Sequence, residues 1–355
     1  MKHSKTQLVI STALLAAGSV QAAQDAFLPS PVQMVSTVPA NGDVNPYGVA
    51  FAPDNFPRSG KIQPGDILVS NFNNNQNLQG TGSTIVRIPP SGPPSVFFQG
   101  NVAAKQIGLS TALSVLHSGL VMVGSFPTAD GTCATAQPGS LLIINGNGAL
   151  VSTINKGVNG PWGMTVNEQG TLVQAFISNA LSGVITRLDF SATPFGLMLK
   201  DSVEIASGYM HRCDPAALVV APTGLVYDAA SDTLFVASTE DNAVFAVPHA
   251  GQATGSQGTG AIIYQDPVHL HGALAMAKAP NGHLLVTNSD VINSDPNQPS
   301  EIVEFTTGGQ FVKELPVDPN QGGSFGLQVK AMGNTTRLAA VDDNTATLLI
   351  WTIPN

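Results

Sequence analysis

One short phrase recurs six times along the chain, and it limits the fold more than any other feature. The phrase is a strand opening at or near a glycine, a turn, an apolar strand ending in Asn, Ser or Asp, and then a third strand. Its first copy is Pro46-Tyr47-Gly48-Val49-Ala50-Phe51, Asp66-Ile67-Leu68-Val69-Ser70-Asn71 and Thr84-Ile85-Val86-Arg87-Ile88. A second, less regular copy runs from Ala112 through Leu120–Ser125 to Leu141–Ile144. The third opens at Pro161-Trp162-Gly163, the fourth at Pro222-Thr223-Gly224, the fifth at Leu270-His271-Gly272 and the sixth at Ser324-Phe325-Gly326. Every segment is short, rich in Val, Ile, Leu and Thr, and bounded by Gly, Pro, Asn or Asp, which is strand chemistry. No long segment shows helical periodicity. Starts fall roughly 50–60 residues apart, slightly wider than common propeller repeats, so the loops carry insertions. One such sheet cannot bury both its faces, but a radial stack of them can. The expected fold is therefore all-β: a six-bladed β-propeller, one domain over residues 23–355. A β-sandwich is the competing architecture, and six copies of one phrase argue against it.

The ends of the repeat imply closure. The last strand, Thr347 to Ile353, is only the third of its blade. Val32–Thr37, ahead of the first copy, has strand character and no hairpin partner. The two are expected to pair, closing the propeller with the N-terminal strand and removing two open edges.

The N-terminus carries an address. Lys2 and Lys5 precede an apolar run from Leu8 to Val20, and Ala22 ends a small-residue cleavage pattern. Residues 1–22 read as a secretory signal peptide, which places the mature chain in the periplasm or outside the cell. No later segment is long and apolar enough for a membrane helix. Charged residues are 10% of the chain and the formal net charge is -9. That lacks the basic footprint of a nucleic-acid binder, while 43% apolar residues supply ample core.

The two cysteines, Cys133 and Cys213, have no CxxC spacing. In an oxidising compartment such a pair can form a disulfide. Cys133 lies after the second strand of its blade and Cys213 in a connection between blades. In an up-and-down blade these two kinds of loop emerge on the same face, so a bridge is expected over one mouth of the channel.

The phrase Pro-x-Gly followed by Leu-φ-Val-x-Asn resembles NHL-repeat propellers and the regucalcin–gluconolactonase group over nearly the whole mature chain. That resemblance implies a six-bladed ring and a channel-mouth site. In the lactonases it also implies a divalent metal held by carboxylate and amide residues just before the blade-opening glycines. Here those slots include Tyr47, Thr223 and His271, with no carboxylate, whereas hard cations favour anionic oxygen ligands. With Ile107 or a neighbour, Trp162 and Phe325, the slots suggest an aromatic, mostly uncharged mouth for a small molecule, glycan or protein. A plug of core side chains is the other reading of the same rings.

Other constellations are weaker. His269 and His271, two apart on an extended strand, share a face. With His211 they could bind a transition metal. His117, His249 and His283 look like exposed turn residues on the opposite face. The second strands end in Asn71, Ser125, Asn179, Glu240-Asp241-Asn242, Asn288-Ser289-Asp290 and Asp342-Asp343-Asn344. Such groups commonly bond their own turn backbone, or they could hold calcium through Asp290, Asp295 or Glu301. No GxSxG, HExxH or phosphate-loop motif is present. Three functions follow: a binding module, an enzyme of lactonase-like hydrolase or metal-dependent lyase type acting at the same mouth, or a structural extracellular protein.

Overall fold

A computed structural model describes residues 26–29, 33–101, 107–193, 196–294, 296–297 and 300–354. The expected signal peptide, Val32 and Asp295 lie outside the described residues.

The chain enters through β1 (Gln33–Ser36) and then builds blade one from β2 (Val44–Phe51), β3 (Ile67–Asn73), β4 (Thr84–Ile88) and β5 (Ser95–Gln99). Blade two is β6 (Leu109–Val115), β7 (Leu120–Ser125), β8 (Ser140–Asn145) and β9 (Leu150–Ile154). Blade three is β10 (Pro161–Gln169), β11 (Leu172–Asn179), β12 (Val184–Thr193) and β13 (Gly196–Ser207). A two-stranded hairpin, β14 (Arg212–Asp214) and β15 (Leu218–Val220), precedes blade four. That blade is β16 (Pro222–Asp228), β17 (Thr233–Ser238), β18 (Ala243–Pro248) and β19 (Ala261–Tyr264). Blade five is β20 (Ala273–Lys278), β21 (Leu284–Asn288), β22 (Ser300–Phe305) and β23 (Phe311–Asp318). Blade six is β24 (Ser324–Met332), β25 (Thr335–Asp342) and β26 (Thr347–Pro354), with β1 as its fourth strand. The described residues thus form six four-stranded antiparallel sheets, and their inner strands contact one another around a closed ring. β1 pairs antiparallel with β26, Gln33 opposite Ile350 and Ser36 opposite Thr347.

Burial follows position in the blade. The second strand is covered on both faces, and all seven residues of β3 are buried. The outer strand faces water, so β9 is largely exposed. The core is accordingly a set of clusters between neighbouring blades. Ala50, Leu68 and Ile85 of blade one meet Leu113, Val121 and Leu142 of blade two. Ala339, Val341 and Ile350 of blade six meet Val49 and Val69 of blade one.

The blade-opening glycines are required by space rather than by dihedral angle. A Cβ on Gly163 would fall on the Thr223 carbonyl, and one on Gly326 on the Tyr47 carbonyl. Hydroxyls finish this seam. Ser70 Oγ accepts from Gly48 N at 2.9 Å and donates to Ser110 O at 2.9 Å. Ser178 Oγ does the same between Gly163 N and Thr223 O, and Thr287 Oγ1 between Ala275 N and Phe325 O. Each ties the inner strand of one blade to the next.

Strand register corrects two of the expected slots. Each inner strand slips where it opens: between Pro46 and Val49, Pro161 and Met164, Pro222 and Leu225, and Ser324 and Leu327. In blade five the slip lies between Ala273 and Met276. The slot there is Leu274 and the opening residue Ala275, three positions beyond His271-Gly272. Gly272 has φ +82 and serves a turn before the strand. In blade two the slip spans Leu109 to Leu113, one residue longer, and holds Ser110, Thr111 and Ala112. Ile107 instead precedes the strand and packs on the core between blades one and two.

Candidate binding pocket under the lid

Five of the slot and neighbouring rings converge where the inner strands meet. Tyr47 lies 5.0 Å from Phe72, 5.7 Å from Trp162 and 4.7 Å from Phe325, centroid to centroid. Phe126 stands edge-on to Trp162 at 5.6 Å. Tilted and edge-to-face pairs of this kind are favourable for aromatic quadrupoles. Trp162 is only 1% exposed and Tyr47 5%. The rings therefore block the channel and form a floor, not the open funnel expected from the sequence. Thr223 is buried as well, and its Oγ1 donates to Leu274 O at 2.8 Å, so it serves the blade seam.

A lid covers this floor. Leu218 and Val219 of the β14–β15 hairpin pack onto the aromatic cluster, as do Cys133 and Ala136 of the blade-two insertion. Cys133 and Cys213 form a disulfide, with Cα atoms 5.7 Å apart. Gln79 Nε2 donates to Ala216 O at 2.6 Å and ties the hairpin to blade one.

Between lid and floor lies a cavity of about 360 Å³, walled by Asn45, Asn73, Gln79, Asp290, Gln321 and Asp343 besides the rings. Its chemistry is distinctive. Among the described residues twelve buried side-chain polar atoms lack a hydrogen-bond partner, and five of them belong to residues lining this cavity. They are Asn45 Oδ1, Asn73 Oδ1, Trp162 Nε1, Asp290 Oδ1 and Gln321 Nε2. Buried polar groups are normally satisfied, so this concentration sets the cavity's surroundings apart from the rest of the core.

Two carboxylates sharpen the picture. Burial pushes the Asp343 carboxyl up to about 7, and the adjacent Asp342 adds to it. Burial likewise raises Tyr47, with Asp343 contributing. Asp290 is raised by burial, partly offset by the Gly322 amide, which donates to its Oδ2 at 2.8 Å. Nearby Glu301, 2% exposed, is driven up to about 7 by burial, partly offset by Asn288.

The three histidines weighed as metal ligands are engaged separately. His211 Nδ1 donates to Tyr209 O at 3.2 Å. His269 Nδ1 meets Asp266 Oδ2 at 2.7 Å, and its ring stacks on Phe311. His271 turns its Nδ1 to Asn293 O and its Nε2 to Val268 O. Among the described residues no group of three or more His, Cys, Asp or Glu is arranged to hold a metal. With register corrected, the slots hold Tyr47, Trp162, Thr223, Leu274 and Phe325 and, in blade two, Ser110 and Thr111. That set offers neither carboxylate nor imidazole, so it does not fit a hard divalent cation.

Other polar residues turn out to be structural. Asn71 Nδ2 donates to Thr37 O, Asn179 Oδ1 accepts from Asn159 N, and Asn288 Oδ1 accepts from His271 N. These asparagines thus fasten the incoming connection to their blade rather than their own turn. His117 is exposed beside Glu168, and His249 is exposed. His283 is half-buried, contrary to expectation. It pairs with Glu304 at 2.7 Å, a fully buried carboxylate that also accepts from the amides of Phe27 and Leu28.

No protein-family model and no curated protein matches the chain. Solved structures do. The chain is similar to a Thermus thermophilus protein described as an oxidoreductase (glucose dehydrogenase), with TM-score 0.54, 13% identity, and coverage of 90% of this chain and 100% of that one. It is similar to a gluconolactonase from Xanthomonas campestris, with TM-score 0.53, 11% identity, and 91% and 90% covered. A third protein, described as a gluconolactonase, gives TM-score 0.51 at 11% identity, with 91% and 93% covered. At these identities the likeness establishes a shared fold, the six-bladed β-propeller, and nothing beyond it.

Proposed function

We propose that the chain is an exported propeller that binds a small, hydrogen-bonding molecule in the cavity beneath the disulfide-held lid. The observation that carries this reading is that five unpartnered polar atoms belong to residues lining one cavity floored by aromatic rings. A cavity of about 360 Å³ suits a small molecule or one terminal sugar residue. Export is supported by the signal-like N-terminus and by the disulfide. Among the described residues no helix is long and apolar enough to cross a membrane. A thermal-shift screen of sugars, sugar lactones and amines tests the reading. Hits should weaken with Asn73→Leu and persist with Lys278→Ala at the far end of the channel. Hits indifferent to both changes would place the site elsewhere.

A second reading, a lactonase-like hydrolase, is favoured by Asp343. A carboxyl near 7 can give and take a proton at neutral pH. Turnover of gluconolactone above the spontaneous rate, lost in Asp343→Asn, would establish it; the spontaneous rate alone would leave a binding protein.

A further inference from the structure

The cavity is lined by acidic groups that its neighbours offset only in part, His271 and the Gly322 amide acting on Asp290. Asp290 and Asp343 line it, and among the described residues no Lys, Arg or His does. Burial and Asp342 act on Asp343, and neither a donor nor a cation offsets them. Asp290 uses Oδ2 for Gly322 N and Ser300 Oγ, and leaves Oδ1 unpartnered. On the lid, Arg212 is already held by Asp214 at 2.7 Å and Glu240 at 2.9 Å. A buried carboxylate is costly unless a cation or several donors meet it.

The rest of the lining says what kind of cation fits. Asn73 and Trp162 both line the cavity, are each 1% exposed, and each carries an unpartnered polar atom. Asn73 Oδ1 and Asn45 Oδ1 are acceptors for the N–H or polarised C–H groups of a cation. Trp162 Nε1 and Gln321 Nε2 are donors, so the same ligand needs an acceptor of its own, a hydroxyl or carbonyl oxygen. The rings of Tyr47, Trp162 and Phe325 attract an organic cation through their quadrupoles but offer a hard metal ion nothing. No cluster of three or more His, Cys, Asp or Glu competes for a metal among the described residues.

From these groups we infer that the cavity's ligand is a small organic ammonium bearing a hydroxyl or carbonyl group, with Asp290 and Asp343 as its counter-charges. The inference rests on the binding reading above and narrows it to one class of ligand.

The test uses the mature, oxidised protein and two pairs of probes that differ in charge but little in shape. One pair is choline and 3,3-dimethylbutan-1-ol, the other glucosamine and glucose. Calorimetric titration near neutral to mildly alkaline pH should show each cation binding about tenfold tighter than its neutral partner, or better. Choline keeps its charge at every pH, so its pH dependence reports the protein. Its affinity should fall between about pH 8 and about pH 5.5 as Asp343 takes up a proton, while that of the neutral alcohol stays level. Tyr47 and Asp342 face Asp343, and His271 and Glu301 act on Asp290. Tyr47, raised by burial, stays protonated throughout, whereas proton uptake by Asp342 or Glu301, both raised by burial, also disfavours a cation. Asp343→Asn keeps the shape and should weaken the charge preference, and Asp290→Asn with Asp343→Asn should abolish it. Equal affinity within both pairs overturns the ammonium assignment and leaves the binding reading intact. Failure of all four probes at about 10 mM also overturns it; the broader library screen then judges the pocket separately. Displacement of choline by micromolar Ca²⁺ would show that the carboxylates form a metal site, and would overturn it too.

Discussion

The two ends of the channel are built from the same inner strands yet differ in every property that bears on binding. The far end is a cavity of about 260 Å³ walled by inner-strand residues such as Val49, Leu113, Met164 and Gln328. None of the described unpartnered buried atoms belongs to its lining. Its single lining cation, Lys278, is paired with Asp228 at 3.0 Å. The lid end holds five unpartnered atoms, two raised carboxylates and a disulfide-tethered cover. Repeated strands, which must satisfy one another, leave a chemically quiet channel. At the lid end the unpartnered groups come from strand ends, Asn45, Asn73 and Trp162, and from two connections, Asp290 and Gln321.

The sharpest way to break this contrast is to release the lid. The Cys133–Cys213 bridge closes a loop of sequence separation 80. Replacing both cysteines by serine should cost about 4–5 kcal/mol in the chain-entropy account, read from urea melts. A loss under about 1 kcal/mol would mean that packing alone holds the lid. Gly326→Ala attacks the ring common to both ends, because its Cβ meets the Tyr47 carbonyl. Its expected cost is about 1–3 kcal/mol, whereas Gly255→Ala, with open space around it, should be silent.

Asp343 gives a change of the opposite sign. Its folded-state pKa, about 7, lies above the ordinary carboxylate value of 3.8. The folded state therefore holds the proton more tightly, and stability falls as pH rises from about 4 to about 7. Asp343→Asn should raise stability at pH 8 by about 1–3 kcal/mol, with the gain fading toward pH 4. A mutant no more stable than the parent at pH 8 would show that the carboxylate is already compensated. The smallest effect belongs to the far end. Lys278→Ala loses a half-exposed ion pair worth at most about 1 kcal/mol and should leave ligand affinity at the lid unchanged.

Much of the ring was legible in the sequence, because strands that stack between like strands repeat their chemistry. The glycines of Gly163 and Gly326 type recur because neighbouring backbones approach there. The hydroxyl before the strand-ending asparagine, as in Ser70-Asn71, Ser178-Asn179 and Thr287-Asn288, was equally visible. Its role needs the next blade's carbonyl and cannot be seen in one repeat. Blade five misled because Gly272, a turn glycine with positive φ, imitates the opening glycine that Ala275 replaces. In blade two one extra residue in the slip displaced the expected slot. The pocket itself was only half visible. Tyr47, Trp162 and Phe325 share a repeat position, and Asp290 and Asp343 lie in acidic rim runs. Asn45 and Asn73 sit at strand ends and Gln79 and Gln321 in loops, none at a repeated position, and only the fold brings them together.

The central claim is that ligand binds against Trp162 beneath the lid. The chain has two tryptophans, and Trp351 lies in the core between blades five and six. Trp351→Phe therefore leaves Trp162 as the sole indole reporter. Titrating that variant with choline, glucosamine and glucose, alongside calorimetry, tests the claim most directly. The account predicts a saturable change in Trp162 emission whose midpoint matches the calorimetric affinity. Calorimetric binding with flat Trp162 emission would contradict it.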